Sequence, residues 1–241
     1  MIVKNKIEFN IIGRVSSPYK EKFAIPRQPG LVTSAKGTIS LTGDANNPEL
    51  VRELVQFSHI WVLFVFHETQ EQGWKPLVRP PRLGGNKKIG ALATRSTFRP
   101  NPIGMSVVKL EKVTVKDKQV KLHISAIDLL DKTPIVDIKP YVPYSDSIPQ
   151  ADAGFAQMPP SANLQVTFNE QAKKALFQYR NSFPELVLFI EQVLAQDPRP
   201  AYKRGKEDNK TYGMALHHFN IQWRMIGLAA IEVFNIEAVK S

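Results

Sequence analysis

The sequence predicts a mainly β protein in two parts: a β-barrel-like N-terminal domain and a small α+β C-terminal domain. Three observations carry this expectation. Up to about residue 140 the hydrophobic pattern is that of short strands interrupted by one helix. Between Tyr141 and Pro160, prolines at 143, 149, 159 and 160 mix with Ser, Asp, Gly and Gln, which is a linker composition. Beyond it two helical patterns precede three strand patterns. Closely spaced strands with a single helix favour a closed or partly closed barrel over a doubly wound sheet. The expected division is 1–145 for the barrel, 146–163 for the linker and 164–241 for the C-terminal domain.

Taken in order, strands are expected at Ile7 to Val15, Thr38 to Leu41, the apolar run His59 to His67, Ile89 to Ala93, Val107 to Val115 and Val120 to Ile127. In the last, Val120, Leu122, Ile124 and Ala126 alternate with Lys121, His123 and Ser125, the signature of a half-buried strand. The helix is expected from Pro48 to Gln56, with Asn47 as N-cap and Leu50, Val51, Leu54 and Val55 at helical spacing. Ile127 to Pro140 holds Asp128, Asp131 and Asp137 among apolar residues. It reads either as a turn around Asp131, Thr133 and Pro134 or as carboxylates placed to pair with a basic loop. In the C-terminal part, helices are expected at Glu170 to Tyr179 and Pro184 to Gln196. Strands are expected at Tyr212 to Leu216, Phe219 to Ile226 and Ala229 to Ile236.

With 241 residues, 43% hydrophobic and 22% charged, the chain holds enough apolar material for one large core or two modest ones, which argues against disorder. A net charge of +10 points to a polyanionic partner. The longest apolar run, Ile60 to Phe66, falls short of the roughly 20 residues of a spanning helix. The segment MIVKNKIEFN lacks the features of a signal peptide, so a cytoplasmic location is expected. The absence of cysteine excludes disulfides and thiolate zinc sites. The five histidines show no common chelating spacing, so no metal is expected.

The charge is concentrated. From Gln72 to Leu110, Lys75, Arg79, Arg82, Lys87, Lys88, Arg95, Arg99 and Lys109 occur without one Asp or Glu. Such a window builds a local positive field suited to phosphate, although a solvated basic loop has the same composition. Within it RSTFRPNPIG is stiffened by Pro100 and Pro102, so Arg95, Arg99 and Asn101 stand on a rigid frame suited to anchoring a ligand. His67 and Glu68 leave the core at the end of a strand, where binding groups and mere strand-end polar residues are equally at home. DPRPAY, from Asp197 to Tyr202, followed by Lys203, Arg204, Lys206 and Lys210, makes a second basic loop. There Tyr202 would stack a base while Arg199, Lys203 and Arg204 track phosphates, unless the loop is only solvated surface. GxGxxG, GxxxxGK[ST] and GxSxG are all missing, which disfavours Rossmann, P-loop and hydrolase-triad chemistry; Gly84 and Gly85 read mainly as a tight turn.

Six segments together resemble the TsaA-like, or TrmO, family of bacterial tRNA methyltransferases: SPYKEKFAIPRQPG, FSHIWVLFVFH, RPPRLGG, ATRSTFRPNPIGMS, DLLDKTPIVDIKPY and LAQDPRPAY. The resemblance implies a barrel-type, non-Rossmann enzyme. It would transfer the methyl group of S-adenosylmethionine to N6 of adenosine 37 in the anticodon loop of tRNA, already bearing a threonylcarbamoyl group. It also implies a homodimer. Carried over by position, Pro26, Arg27, Gln28, His67, Glu68, Arg95, Ser106, Asp128, Leu129, Leu130 and Asp131 form the donor-binding set. His67, Glu68 and Asn101 are the candidates for catalysis, and Arg79, Arg82, Lys87, Lys88, Arg99, Arg199, Tyr202, Lys203 and Arg204 for tRNA contacts. Many family members carry Gly where this chain has Lys132. The alternative reading is a non-catalytic, basic RNA-binding module.

Overall fold

The computed structural model describes residues 7–160 and 164–239. The first six residues of the expected barrel domain, the last three of the expected linker and residues 240–241 lie outside them. The elements in order are β1 (Gly13–Ser16), β2 (Lys36–Leu41), β3 (His59–Val65), β4 (Leu77–Val78), β5 (Ile89–Gly90), β6 (Ile103–Lys116), β7 (Gln119–Ser125), β8 (Pro134–Pro140), α1 (Pro143–Asp146), β9 (Gln165–Phe168), α2 (Glu170–Tyr179), α3 (Leu186–Ala195), β10 (Thr211–Leu216), β11 (Phe219–Ile226) and β12 (Ala230–Ala238).

Six strands close an antiparallel barrel in the order β1-β2-β7-β6-β3-β8, with β8 returning to β1. Its interior is supplied by the inward-facing side chains of these strands: Ile39, Ile60, Val62, Val108, Leu122, Ile124 and Ile135 are each at most 1% exposed. Burying each contributes roughly 1.5–3 kcal/mol. Asp117 and Lys118, both at positive φ, form the two-residue hairpin between β6 and β7, a geometry whose twist matches the flanking strands.

Three expected elements need correction. The helix from Pro48 to Gln56 is two 3₁₀ turns, Pro48–Val51 and Leu54–Gln56, split where Glu53 takes φ 65°; Asn47 does cap the first, accepting from the Glu49 amide at 2.9 Å. Strand structure from Ile7 shrinks to Gly13–Ser16, and Ile89 to Ala93 to two residues followed by a 3₁₀ turn. The segment holding the three carboxylates is a turn followed by β8, the strand that closes the barrel. A fourth C-terminal strand, β9, was not anticipated.

The register places the site. Ser16 pairs with Thr38, Lys36 with Ser125, Lys109 with Ser125, Val65 with Ile103, Phe64 with Ile135 and Arg14 with Pro134. The β1–β2, β3–β6 and β7–β8 connections therefore all emerge at one rim of the barrel. Within the β3–β6 connection, β4 and β5 pair as a small hairpin whose tip carries residues 79–88.

The C-terminal sheet runs β10-β11-β12-β9, with β9 parallel to β12 and the rest antiparallel. The buried stripes of α2 (Ala172, Leu176) and α3 (Leu186, Phe189, Ile190, Val193, Leu194) join its apolar side chains in one cluster continuous with the barrel core. The join lies along the β1–β2 connection. Tyr19, with no exposed surface, bridges to Leu216. The His217 amide donates to the Pro18 carbonyl at 2.7 Å, the Ala215 amide to the Glu21 carboxylate, and Lys36 pairs with Glu185 at 2.6 Å. Among the described residues no helix is long and apolar enough to cross a membrane.

Candidate functional site

Every residue of the expected donor-binding set except Ser106 lies on one of the three rim connections, and Ser106 lies just inside, on β6, opposite Val62. The Ser106 hydroxyl donates to Asp128 Oδ1 at 2.6 Å. Arg95 Nη1 donates to Gln28 Oε1 at 2.6 Å, and the Arg95 charge also acts on Asp128. The Gly30 amide donates to the Ala126 carbonyl at 2.9 Å, tying the loop that carries Pro26 to Gln28 against the Asp128 turn. Gln28, Arg95, Ser106 and Asp128 are thus gathered from all three connections and the wall of the barrel.

His67 and Glu68 begin the 3₁₀ turn that follows β3. The Phe66 amide donates to the Pro102 carbonyl at 2.8 Å, so extending the β3–β6 register sets His67 beside Asn101. His67 Nε2 lies 3.4 Å from Glu68 Oε1, and Asn101 is exposed at the same rim.

Burial decides the electrostatics. Asp128 is pushed up from the ordinary carboxylate value to about 6, by desolvation first, against the opposing effects of the Ser106 hydroxyl and the Arg95 charge. The Tyr19 hydroxyl, raised by burial and then by Asp128, has no hydrogen-bond partner. A partly buried carboxylate beside an orphaned buried hydroxyl and the Arg95 guanidinium fits a ligand carrying both cationic and anionic groups, as S-adenosylmethionine does.

The other members of the set play different parts. Asp131 is already engaged: it accepts from the Ser17 amide at 2.9 Å and pairs with Lys20 at 2.7 Å, and its own amide donates to the Tyr19 carbonyl. Leu129, 1% exposed, offers a ligand only its backbone; Leu130 is half-buried. Lys132 takes φ 63°, the left-handed conformation that glycine adopts without strain.

Of the residues expected to meet tRNA, Arg79, Arg82, Lys87 and Lys88 are exposed on the β4–β5 hairpin, and Tyr202 is 67% exposed. A Cβ on Gly85 would lie 3.8 Å from the Ala201 methyl, so the hairpin tip abuts the DPRPAY loop and the two basic segments form one surface. Arg99 is half-buried and donates to the Thr94 carbonyl at 2.7 Å, bracing its own loop. Arg199 requires correction. It is 1% exposed and grips Asp197 through Nε and Nη2, both at 2.8 Å, so it braces the loop from within and cannot reach a phosphate. Lys203 is turned inward to Asp208 Oδ2 at 2.8 Å and the Tyr212 hydroxyl at 3.0 Å, which raises its pKa and leaves it a weak phosphate contact.

Sequence reading missed a cleft of about 700 Å³ between the barrel and the C-terminal sheet, lined in part by Lys20, Lys36, Lys112, His123, His217 and His218. No linear signal marks it, because its residues come from separate elements. Burial pushes His217 down to about 4 and also lowers His123, so both rings are neutral at physiological pH. Among the described residues no group of three His, Cys, Asp or Glu is placed to hold a metal.

The closed barrel joined to a C-terminal sheet matches a solved structure, that of TrmO from Pseudomonas aeruginosa. The two match with a TM-score of 0.81 at 36% identity over 97% of this chain and 99% of that one. Family models for the tRNA-methyltransferase O N-terminal domain and the TrmO C-terminal domain match residues 14–147 and 161–239. The tRNA (adenine(37)-N6)-methyltransferase of Escherichia coli K12 is 53% identical over 233 residues, 97% of this chain and 99% of that protein. A Pseudomonas aeruginosa protein named putative S-adenosylmethionine-dependent methyltransferase RcsF is 46% identical over 88% of this chain and 90% of its own length. The chain belongs to the TrmO family of tRNA methyltransferases.

Proposed function

We propose that this protein methylates N6 of adenosine 37 in tRNA, with S-adenosylmethionine as donor and the threonylcarbamoylated base as its acceptor. The observation that carries the reading is the gathering of Gln28, Arg95, Ser106 and Asp128 at one barrel rim, beside an exposed basic hairpin. The barrel, residues 1–145, would hold the donor. The C-terminal part, 164–241 beyond the linker 146–163, would share in tRNA binding through Tyr202. Assembly as a homodimer in the cytoplasm, implied by the family resemblance, belongs to the same proposal.

When bound, the donor supplies an electrophilic methyl carbon on a sulfonium centre. The chain's part is to position, to shield and to take one proton. Asp128 presents negative charge to the cationic ligand, while Arg95 and Gln28 fix one another at the mouth of the site. N6 must be collinear with the methyl carbon and its leaving sulfur, so positioning should dominate the rate. As N6 gains the methyl group it loses its proton. The carbamoyl group makes that proton more acidic than an amine's, so His67 or Glu68, beside the Asn101 loop, would suffice as acceptor.

Purified protein given labelled S-adenosylmethionine should methylate tRNA bearing threonylcarbamoyl at position 37 and leave matched tRNA without it unlabelled. Binding of tRNA with no incorporation into either would instead identify the non-catalytic RNA-binding module. The buried carboxylate and orphaned Tyr19 hydroxyl weigh against that module, since passive RNA binding has no use for them.

The hairpin has its own test. With Lys87 and Lys88 both changed to Ala, tRNA binding should weaken. The slope of log affinity against log salt should flatten by roughly 0.7–0.9 per lost phosphate contact. An unchanged slope would remove the hairpin from the interface.

A further inference from the structure

Beside the gathered rim residues, Arg27 and Arg204 line one small cavity between the β1–β2 connection and the DPRPAY loop. Two guanidinium groups from distant parts of the chain repel one another unless an anion lies between them. Asp197 is the one carboxylate lining that cavity, and both its oxygens are held by the buried Arg199 at 2.8 Å. Arg204 Nη2 donates to the Asp197 carbonyl at 2.8 Å, while its Nε is buried without an acceptor. Arg27 keeps one side open to solvent. Packing on its other side and then the charge of Arg204 lower its pKa. Among the described residues neither guanidinium has an acidic partner.

The position narrows what the anion is. Arg27 directly precedes Gln28, which accepts from Arg95 at the rim. The cavity, also lined by Val32, Val193, Gln196 and Pro198, measures only about 20 Å³, so it admits the end of a small group and not a continuous phosphate backbone. Planar forks of N–H donors match a carboxylate.

We propose that Arg27 and Arg204 form a carboxylate-binding pair that clamps a reactant at the barrel rim. The inference rests on the proposed function for the identity of the reactants. Each offers one carboxylate: the threonylcarbamoyl substituent of the acceptor base and the amino-acid end of the donor. In either case the C-terminal domain contributes directly to the reaction site through Arg204, and the cavity closes around a group that unmodified adenosine lacks or that decarboxylated donor lacks.

The test is by binding, on the full chain. The unaltered protein and its Arg204→Gln and Arg204→Lys variants are titrated with two ligand pairs. One pair is N6-threonylcarbamoyladenosine and its methyl ester; the other is S-adenosylmethionine and its decarboxylated form. The unaltered protein should prefer the free carboxylate in one pair by about tenfold or more, a preference that Arg204→Gln abolishes and Arg204→Lys partly restores. Preference within the first pair assigns the clamp to the acceptor; within the second, to the donor. Arg27→Gln, which removes no hydrogen bond of the folded chain, should repeat the result if Arg204→Gln fails to fold. Preferences that survive in both glutamine variants overturn the proposal. So does a variant that loses only salt-dependent tRNA affinity, since that places the pair on a backbone phosphate. These titrations need no methyl transfer, so a protein that discriminates carboxylates without methylating tRNA would sink the proposed reaction and leave the clamp standing.

Discussion

Gly104→Ala is expected to lower the folding stability of this protein by about 2–4 kcal/mol, at the upper end of what overpacking one methyl group costs. A Cβ at this position would lie 2.4 Å from two ring carbons of Phe64 and 2.8 Å from the ring of Phe66. The neighbours have little room to yield. Gly104 stands opposite Phe64 in the β3–β6 ladder, Phe64 is 6% exposed, and its ring meets that of Phe66 edge-on at 5.2 Å. Denaturant titration of the purified variant measures the loss directly. A midpoint within error of the unaltered protein would show that the two rings slide aside freely and that the ladder tolerates a side chain here. The effect should also reach function, because Phe66 immediately precedes His67: a variant that folds should show a lower kcat than its folded fraction explains.

Asp128→Asn should move stability and ligand binding in opposite directions. The carboxyl group titrates at about 6 in the folded chain against an ordinary value of 3.8, so the folded state binds the proton more tightly than the unfolded state. The penalty of holding the charged form is full above pH 6. It is relieved as the pH falls from about 6 towards 4, where folding takes up a proton, so stability contributed through this group rises on acidification across that window. A neutral amide escapes the penalty. Because Asp128 keeps part of its surface in water, the expected gain at neutral pH is about 1–2 kcal/mol, less than the roughly 3 that a two-unit displacement represents. Donor binding should fall at least tenfold in the same variant, on the proposal that the carboxylate faces a cationic ligand. In the unaltered protein donor affinity should decline as the pH drops below 6. Thermal melts from pH 4 to 8, paired with donor titrations, check both. A variant that is less stable and still binds the donor would reduce Asp128 to a structural acceptor for Ser106.

The sequence made the strands of the barrel and the C-terminal sheet legible wherever one face is buried. β7 and β11 alternate cleanly, β3 reads as a continuous apolar run, and α2 has the bounds its apolar stripe indicates, Glu170 to Tyr179. β8 was hidden because Asp137, Lys139 and two prolines dilute its apolar residues, and only pairing with β1 and β3 makes it a strand. The helix after Asn47 failed at Glu53, whose left-handed backbone no propensity indicates. At the site, charge was legible and burial was not. Arg199 and Arg204 carry the same label in the sequence, yet one is consumed by Asp197 two residues away while the other has a nitrogen without an acceptor. The convergence of three distant loops follows from strand register, which is a property of pairing and not of any segment alone.

The order of strand pairing also governs when this chain can fold. The barrel closes only when β1, at Gly13, meets Ile135 of β8, and the second sheet is complete only when β9 is joined by the parallel strand β12 from Ala230 onward. Both closures bring together residues far apart in sequence, the kind of contact that slows folding and leaves strand edges open in the interim. A chain emerging from the ribosome would therefore carry two unsealed edges for most of its synthesis. The Tyr19–Leu216 bridge obeys the same order, since the barrel's own β1–β2 connection gains its cover only once the chain has been made as far as Leu216.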